Sequence, residues 1–249
     1  MGRFGSSLEF PFLALLVSGG HCQILRCDAM GKYSVVGGTL DDSLGEAYDK
    51  VARMLNLPVG GGGGPAVEKL ALSGDPSKVR LPIPMQRRKD CDFSFAGLKN
   101  AFRVAVEKLK ELRNLPQDAE LSFQDKADLA ASFQHVAIKH LEQRINRAMD
   151  GVEANGEGDG GDDDDAADNE DEKIKRRLVV VGGVAANKAI RASLEGICDS
   201  RDWEFHVPPA RLCTDNGVMA AWAGVEKLKC GISDVAKGQE VYARYPFAS

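Results

Sequence analysis

Leu13-Ala14-Leu15-Leu16-Val17-Ser18-Gly19-Gly20-His21-Cys22-Gln23-Ile24-Leu25 decides how this chain folds. Two apolar runs flank Ser18-Gly19-Gly20-His21, the pattern of a β-hairpin with a glycine-containing turn. Adjacent glycines let a backbone approach a ligand closely, and a concave turn of N–H groups beside a serine hydroxyl suits phosphate. A plain turn that needs only the conformational freedom of glycine accounts for the same residues. Glycine-rich turns recur beside later strands and helices, as a cleft assembled from several loops requires.

Downstream, Tyr33 to Val36 reads as a third strand ended by Gly37-Gly38. Asp41-Asp42 offers an N-cap to a helix whose apolar stripe is Leu44, Ala47, Tyr48, Val51, Ala52 and Leu55. Asp49 lies off that stripe, either on a solvated face or directed into a cleft. Gly60 to Gly64 precede Pro65 and a helix from Ala66 to about Leu72. Bare glycine leaves the positive end of such a helix open to a polar ligand. Glu68 sits in its first turn, where the dipole favours a carboxylate in any case. Phe93-Ser94-Phe95 alternates as a short strand before a helix from Leu98 to about Leu109. A long helix then runs from about Asp125 to Met149, with Leu129, Phe133, Val136, His140 and Leu141 on one side. His135 and His140 are five residues apart and do not share a face as a helical metal pair would.

Leu178 to Val181 is a continuous β-branched and apolar run, a buried strand. Gly182-Gly183 and a helix from Ala185 follow. Strand, glycines and helix N-terminus in that order bind phosphate in many α/β folds, although the Gly-x-Gly-x-x-Gly dinucleotide pattern is absent. Asn187, in that helix's first turn, has an amide suited to a sugar or base, or to local backbone. Trp203 to Val207 reads as another strand. Cys213-Thr214-Asp215-Asn216-Gly217 then introduces a helix from about Val218 to Leu228. Capping explains Asp215, and so does a metal or phosphate ligand at a strand-to-helix corner. The class is α/β.

The 249 residues are 43% hydrophobic, enough for a sizeable core. The net charge of -5 is uneven: residues 151–172 hold eleven carboxylates and no Lys or Arg, which leaves the rest at +6. That balance is compatible with a polyanionic partner. Residues 151–175, rich in glycine and acid, read as a disordered insertion. Six cysteines without a Cys-x-x-Cys pair read as reduced thiols of an intracellular protein. No apolar run approaches the roughly 18 residues of a membrane span, so no membrane partner is expected.

Phe10-Pro11-Phe12 with Leu16-Val17-Ser18-Gly19-Gly20-His21, Gly45-Glu46-Ala47-Tyr48-Asp49-Lys50, and Gly63-Gly64-Pro65 with Glu68 form a first group of blocks. Asp92-Phe93-Ser94-Phe95-Ala96-Gly97-Leu98-Lys99, Gly182-Gly183-Val184-Ala185-Ala186-Asn187 and Cys213 to Met219 complete it. In this order they resemble the family of tRNA N6-adenosine threonylcarbamoyltransferases, its bacterial and organellar branch, once classed as O-sialoglycoprotein endopeptidases. The resemblance implies an actin-like ATPase (ASKHA) fold, with residues 1–249 forming the C-terminal part of a Gcp-like domain, mainly the second lobe.

The activity implied is transfer of threonylcarbamoyl from threonylcarbamoyl-AMP to N6 of the adenosine 3′ of the anticodon, releasing AMP. Carried onto this chain, Leu16, Val17, Ser18, Gly19 and Gly20 hold the phosphate and acyl part. Asp49, Gly64 and Glu68 meet the ribose and adenine side, and Asn187 binds from the Gly-Gly loop. Asp215 is the carboxylate ligand of one divalent metal, iron or zinc. Partners implied are threonylcarbamoyl-AMP, tRNA, and a second copy or other proteins of the modification pathway. The branch works in mitochondria or plastids, or in bacterial cytoplasm.

Two departures qualify this. The family's His-x-x-x-His metal pair belongs upstream of the hairpin and does not occur in this chain, and the first lobe with its own phosphate loop is not represented. The expectation is therefore a fragment of the full enzyme that does not modify tRNA alone. The alternative is a truncated, non-catalytic paralogue that binds nucleotide or a partner. The metalloprotease of the older name lacks its His pair and general base.

Overall fold

β1 (Phe12–Val17) and β2 (Cys22–Ala29) form the antiparallel hairpin, with Leu15 opposite Ile24. The structure is a computed structural model that describes residues 8–60, 62–156, 176–214 and 216–233. β3 (Lys32–Gly38) pairs antiparallel with β2, while β4 (Arg177–Val181) runs parallel to β1 and β5 (Glu204–His206) parallel to β4. The resulting order β3-β2-β1-β4-β5 places β1 and β4 side by side at the centre. The mixed α/β expectation is met.

Side-chain alternation decides which face of the sheet is the core. Leu13, Leu15 and Val17 of β1 join Ile24, Leu178 and Val180 in the main cluster, whereas Phe12 and Ala14 pack with Leu25 and Cys27 on the other face. Against the first face lie α1 (Leu44–Met54), α2 (Gly63–Ala71), α3 (Ala96–Leu112), α4 (Phe123–Gly156) and α5 (Lys188–Ser200). The stripe Leu44, Ala47, Tyr48, Val51, Ala52 and Leu55 is buried in full, as its spacing requires. Tyr48 and Phe102 each meet Phe133 of α4 edge to face, at 5.0 and 5.8 Å between ring centroids.

Several local assignments differ from expectation because a polar group found a distant partner. The N-cap of α1 is Ser43, whose Oγ accepts the Glu46 N–H at 3.2 Å. Asp41 instead caps α3, accepting the Phe95 and Ala96 N–H groups at 2.8 and 3.2 Å and the Ser94 hydroxyl at 2.5 Å. That capping turns Phe93-Ser94-Phe95 out of strand geometry and leaves one bridge, Thr39 to Phe93. Asp42 accepts from both Lys50 (3.0 Å) and Lys99 (2.9 Å), which holds its carboxyl below the usual range against the opposing effect of burial.

α4 continues past Met149 to Gly156, so the first residues of the acidic segment are helical. Glu153 accounts for this. It accepts from Arg201 Nη2 at 2.6 Å and from Trp203 Nε1 at 2.8 Å, tying the helix end to the approach of β5. The remainder of the expected insertion, 157–175, lies outside the described residues. His135 is exposed on α4, whereas His140 is buried between Phe93 and Phe95. α6 (Gly217–Lys229) buries none of its side chains, and Trp222 stands 61% exposed.

Candidate nucleotide cleft

The parallel strands β1 and β4 end together at Val17 and Val181, and each is followed by a glycine turn. A crevice outside the carboxyl ends of adjacent strands is where open α/β sheets bind ligands. Here that crevice is a cleft of about 290 Å³. Its lining includes Gly19 of the hairpin turn, Tyr48 and Asp49 of α1, Gly64 and Glu68 of α2, and Gly183, Val184, Ala186 and Asn187 with Thr214. The structure thus brings together Gly19, Asp49, Gly64, Glu68 and Asn187, which the sequence singled out from four separate segments.

Close backbone approach builds these walls. Gly45, in the first turn of α1, lies so near the hairpin turn that a Cβ there would stand 2.6 Å from the Ser18 carbonyl oxygen. Ser43 strengthens this contact by donating its hydroxyl to the Gly19 carbonyl at 2.6 Å. The hairpin turn itself closes on Ser18, whose Oγ accepts the Gly20 and His21 N–H groups at 3.2 and 3.0 Å. Two donors expected to face phosphate are therefore engaged within the turn. Leu16, Val17, Ser18 and Gly20 do not line the cleft, and the Val17 side chain is wholly buried in the core. Of that run, Gly19 alone reaches the wall.

Asp49 accepts the Gly63 N–H at 2.6 Å and so caps α2, which begins at Gly63, earlier than the expected Ala66. Glu68 Oε1 accepts the Lys188 N–H at 2.7 Å, joining α2 to the start of α5. Asn187 is not in the first helical turn but is the N-cap. A short 3-10 turn, Gly183–Ala186, precedes it, and its Oδ1 accepts the Ile190 N–H at 3.0 Å. Its Nδ2 donates to Gln134 Oε1 at 3.1 Å, in a buried position on α4. Tyr48 points its hydroxyl at the same oxygen, at 3.5 Å. The helix N-terminus expected to hold phosphate is thus already capped by the protein's own groups.

This double engagement makes Asn187 structural as well as cleft-lining. Asn187→Ala is expected to lose about 1–3 kcal/mol, because the cap and the buried amide bond go together. Chemical denaturation measures this, and a change below a few tenths of a kcal/mol would show that neither bond matters.

Sequence reading missed Tyr48 as a cleft residue, since its place on the apolar stripe explains it fully, and missed Gln134 because nothing local marks a buried amide. It also missed Arg191. That guanidinium donates to the Ala185 carbonyl, to the Pro208 carbonyl at 2.8 Å and to Cys213 Sγ at 3.1 Å. By these bonds it fixes the 3-10 turn relative to the segment that carries Thr214. Asp215, the expected metal ligand, lies outside the described residues. Among the described residues no group of three or more His, Cys, Asp or Glu is placed to hold a metal ion, and His140 sits apart in the aromatic core. The described residues by themselves form no iron or zinc site.

A family model described as tRNA N6-adenosine threonylcarbamoyltransferase matches residues 1–222. Among curated relatives, a probable mitochondrial tRNA N6-adenosine threonylcarbamoyltransferase of Arabidopsis thaliana is 42% identical over 229 residues, 91% of this chain and 44% of that protein. Transferases of the same name from Paramagnetospirillum magneticum and Rhodospirillum rubrum are 43% and 45% identical over 232 residues each. Both alignments cover 93% of this chain, against 59% and 57% of the bacterial proteins. The chain spans about half the length of the curated relatives it matches. With a match of this extent, together with the strand order and the glycine-lined cleft, the chain belongs to the tRNA N6-adenosine threonylcarbamoyltransferase family.

Proposed function

We propose that the chain forms the nucleotide-holding half of a transferase that carries threonylcarbamoyl from threonylcarbamoyl-AMP to N6 of the adenosine 3′ of the tRNA anticodon. In that reaction the carbamoyl carbon forms a bond to N6, its bond to the phosphate oxygen breaks, AMP departs and N6 loses a proton. The observation that supports this reading is the convergence of Gly19, Asp49, Gly64, Glu68 and Asn187 on one cleft at the ends of β1 and β4. Glycine on three sides admits a flat, polar ligand close to the backbone. In this reading Asp49 and Glu68 serve as hydrogen-bond acceptors for ribose hydroxyls, and the Gly19 turn takes the phosphate and acyl part. Positioning the anhydride against the amine supplies much of the rate, with no protein nucleophile required.

The first lobe and the metal would come from sequence that the relatives possess and this chain does not span, or from a partner, whether a second copy or a protein of the same pathway. An organellar location is part of the proposal, by analogy with the Arabidopsis relative named mitochondrial. Among the described residues no helix is long and apolar enough to cross a membrane. A non-catalytic paralogue gains no support from the relatives, whose names are those of transferases.

Gly64→Val tests the cleft cleanly. A Cβ at Gly64 would meet no atom within 4 Å, so a side chain there starts out into the open cleft. AMP affinity measured by calorimetry is expected to fall about tenfold, the loss of roughly 1.4 kcal/mol, with stability within about 0.5 kcal/mol of the wild type. Unchanged AMP binding would remove the ligand from this cleft. Incubated alone with threonylcarbamoyl-AMP and tRNA, the chain is expected to give no modified nucleoside by mass spectrometry. Robust modification would overturn its reading as part of the enzyme.

A further inference from the structure

Away from the cleft, a surface loop is held in place by an uncommon device. Arg144 of α4 is fully buried and faces no carboxylate among the described residues. Its Nη1 donates to the Arg88 and Asp90 carbonyls, both at 3.0 Å, and its Nη2 to the Met85 carbonyl at 2.6 Å. Arg147 adds a bond to the Asp90 carbonyl at 3.3 Å. Met85 itself adopts a left-handed conformation, φ 48°, which a non-glycine residue keeps only where its surroundings impose it. A buried guanidinium is costly to desolvate, and an apolar side chain would fill the same space. What the guanidinium adds is a fixed position for the backbone of residues 85–90.

That loop displays charge outward. Arg88 is engaged with Asp90 at 2.6 Å and Asp92 at 3.3 Å. Arg87 and Lys89 are exposed, and among the described residues neither meets a carboxylate. The neighbouring Asp150 is taken by Arg201 at 2.6 Å. At the surface Arg87, Arg88, Lys89 and the half-buried Arg147 therefore outnumber Asp90 and Asp92, while Arg144 lies beneath them. None of them lines the cleft.

We propose that the Met85–Asp90 loop is a docking surface for the phosphate backbone of RNA. The inference rests on tRNA being the substrate, and it concerns a surface separate from the nucleotide cleft. A pinned backbone fixes the points from which these side chains project, so less loop freedom is lost on binding, and cations so spaced suit an anion array. Contact of this kind positions the RNA without reading its sequence.

The test is fluorescence titration of unmodified tRNA with the chain between about 50 and 200 mM salt. The wild type is compared with the double variant Arg87→Ala/Lys89→Ala, and AMP affinity and thermal stability are measured alongside. The variant is expected to bind tRNA about tenfold more weakly at low salt, with the salt slope reduced by about 1.5 and both control readouts unchanged. Equal affinity and slope in the two proteins would overturn the proposal. So would binding of poly-glutamate as tight as that of tRNA with the same loss in the variant, which would mark an acidic protein as the partner. If AMP binds the cleft but tRNA does not bind the chain, the loop proposal fails and the cleft reading stands. If tRNA binds through the loop and AMP does not bind, the reverse holds.

Discussion

Gly182→Ala is expected to destabilise the protein by about 3–5 kcal/mol, the strained backbone and the steric clash adding together. Gly182 ends β4 with φ 100° and ψ 166°, a region open in practice only to glycine. A Cβ at this position would stand 2.2 Å from the Val17 carbonyl oxygen, and backbone cannot yield as a flexible side-chain tip does. The clash falls where β1 and β4 deliver their glycine turns to the cleft, so nucleotide binding is expected to be lost along with stability. Gly183→Ala is the matched control. A Cβ there would meet nothing within 4 Å, and its stability is expected within about 0.5 kcal/mol of the wild type. Denaturant unfolding of the pair decides the matter: equal midpoints would mean that the approach of Gly182 to Val17 does not constrain the fold.

The second large effect is one of pH. His140 is enclosed by Phe93 and Phe95, at 5.8 and 5.4 Å between ring centroids, and its Nε2 accepts the Ser94 N–H at 3.3 Å. Burial pushes its pKa down to about 4, with the Arg147 charge acting in the same direction and Asp41 opposing them. The unfolded chain takes up this proton near pH 6.5, while the folded protein resists it down to about pH 4. Stability from this residue is therefore complete above pH 6.5 and falls as the pH drops toward 4, by about 3 kcal/mol in all. His140→Gln keeps an acceptor for Ser94 and removes the titration, so its stability should vary less across that interval. An NMR titration of His140 with a midpoint near the ordinary value would refute the account.

Periodicity carried most of the fold because it is a property of neighbours along the chain. Leu13, Leu15 and Val17 alternate, and Leu44 to Leu55 recur at helical spacing, so each buried face could be read before any tertiary contact was known. Aspartates were less legible. Asp41 precedes a helix and looks like its cap, yet it caps α3 more than fifty residues away, while Ser43 caps α1. Either assignment satisfies local rules, and only the packing of α3 beside α1 chooses between them.

The candidate site divides along the same line. Gly19, Asp49, Gly64, Glu68 and Asn187 were recognisable from their blocks, but their engagements with one another were not. Ser18 turns its hydroxyl inward to close the hairpin, Glu68 crosses to Lys188, and Asn187 is shared between its own helix and Gln134. Arg191 and Arg144 are ordinary helix-surface residues by spacing alone, and act as clamps only because turns distant in sequence fold against them. By itself the sequence determined the α/β class, the central hairpin, most strands and helices and the family, since apolar spacing and glycine turns are local requirements. The tertiary structure alone decided which polar groups are free to meet a ligand. A hydrogen-bonding group is satisfied by whatever donor or acceptor lies within about 3 Å, and that neighbour is set by the packing of the elements and not by the order of the chain.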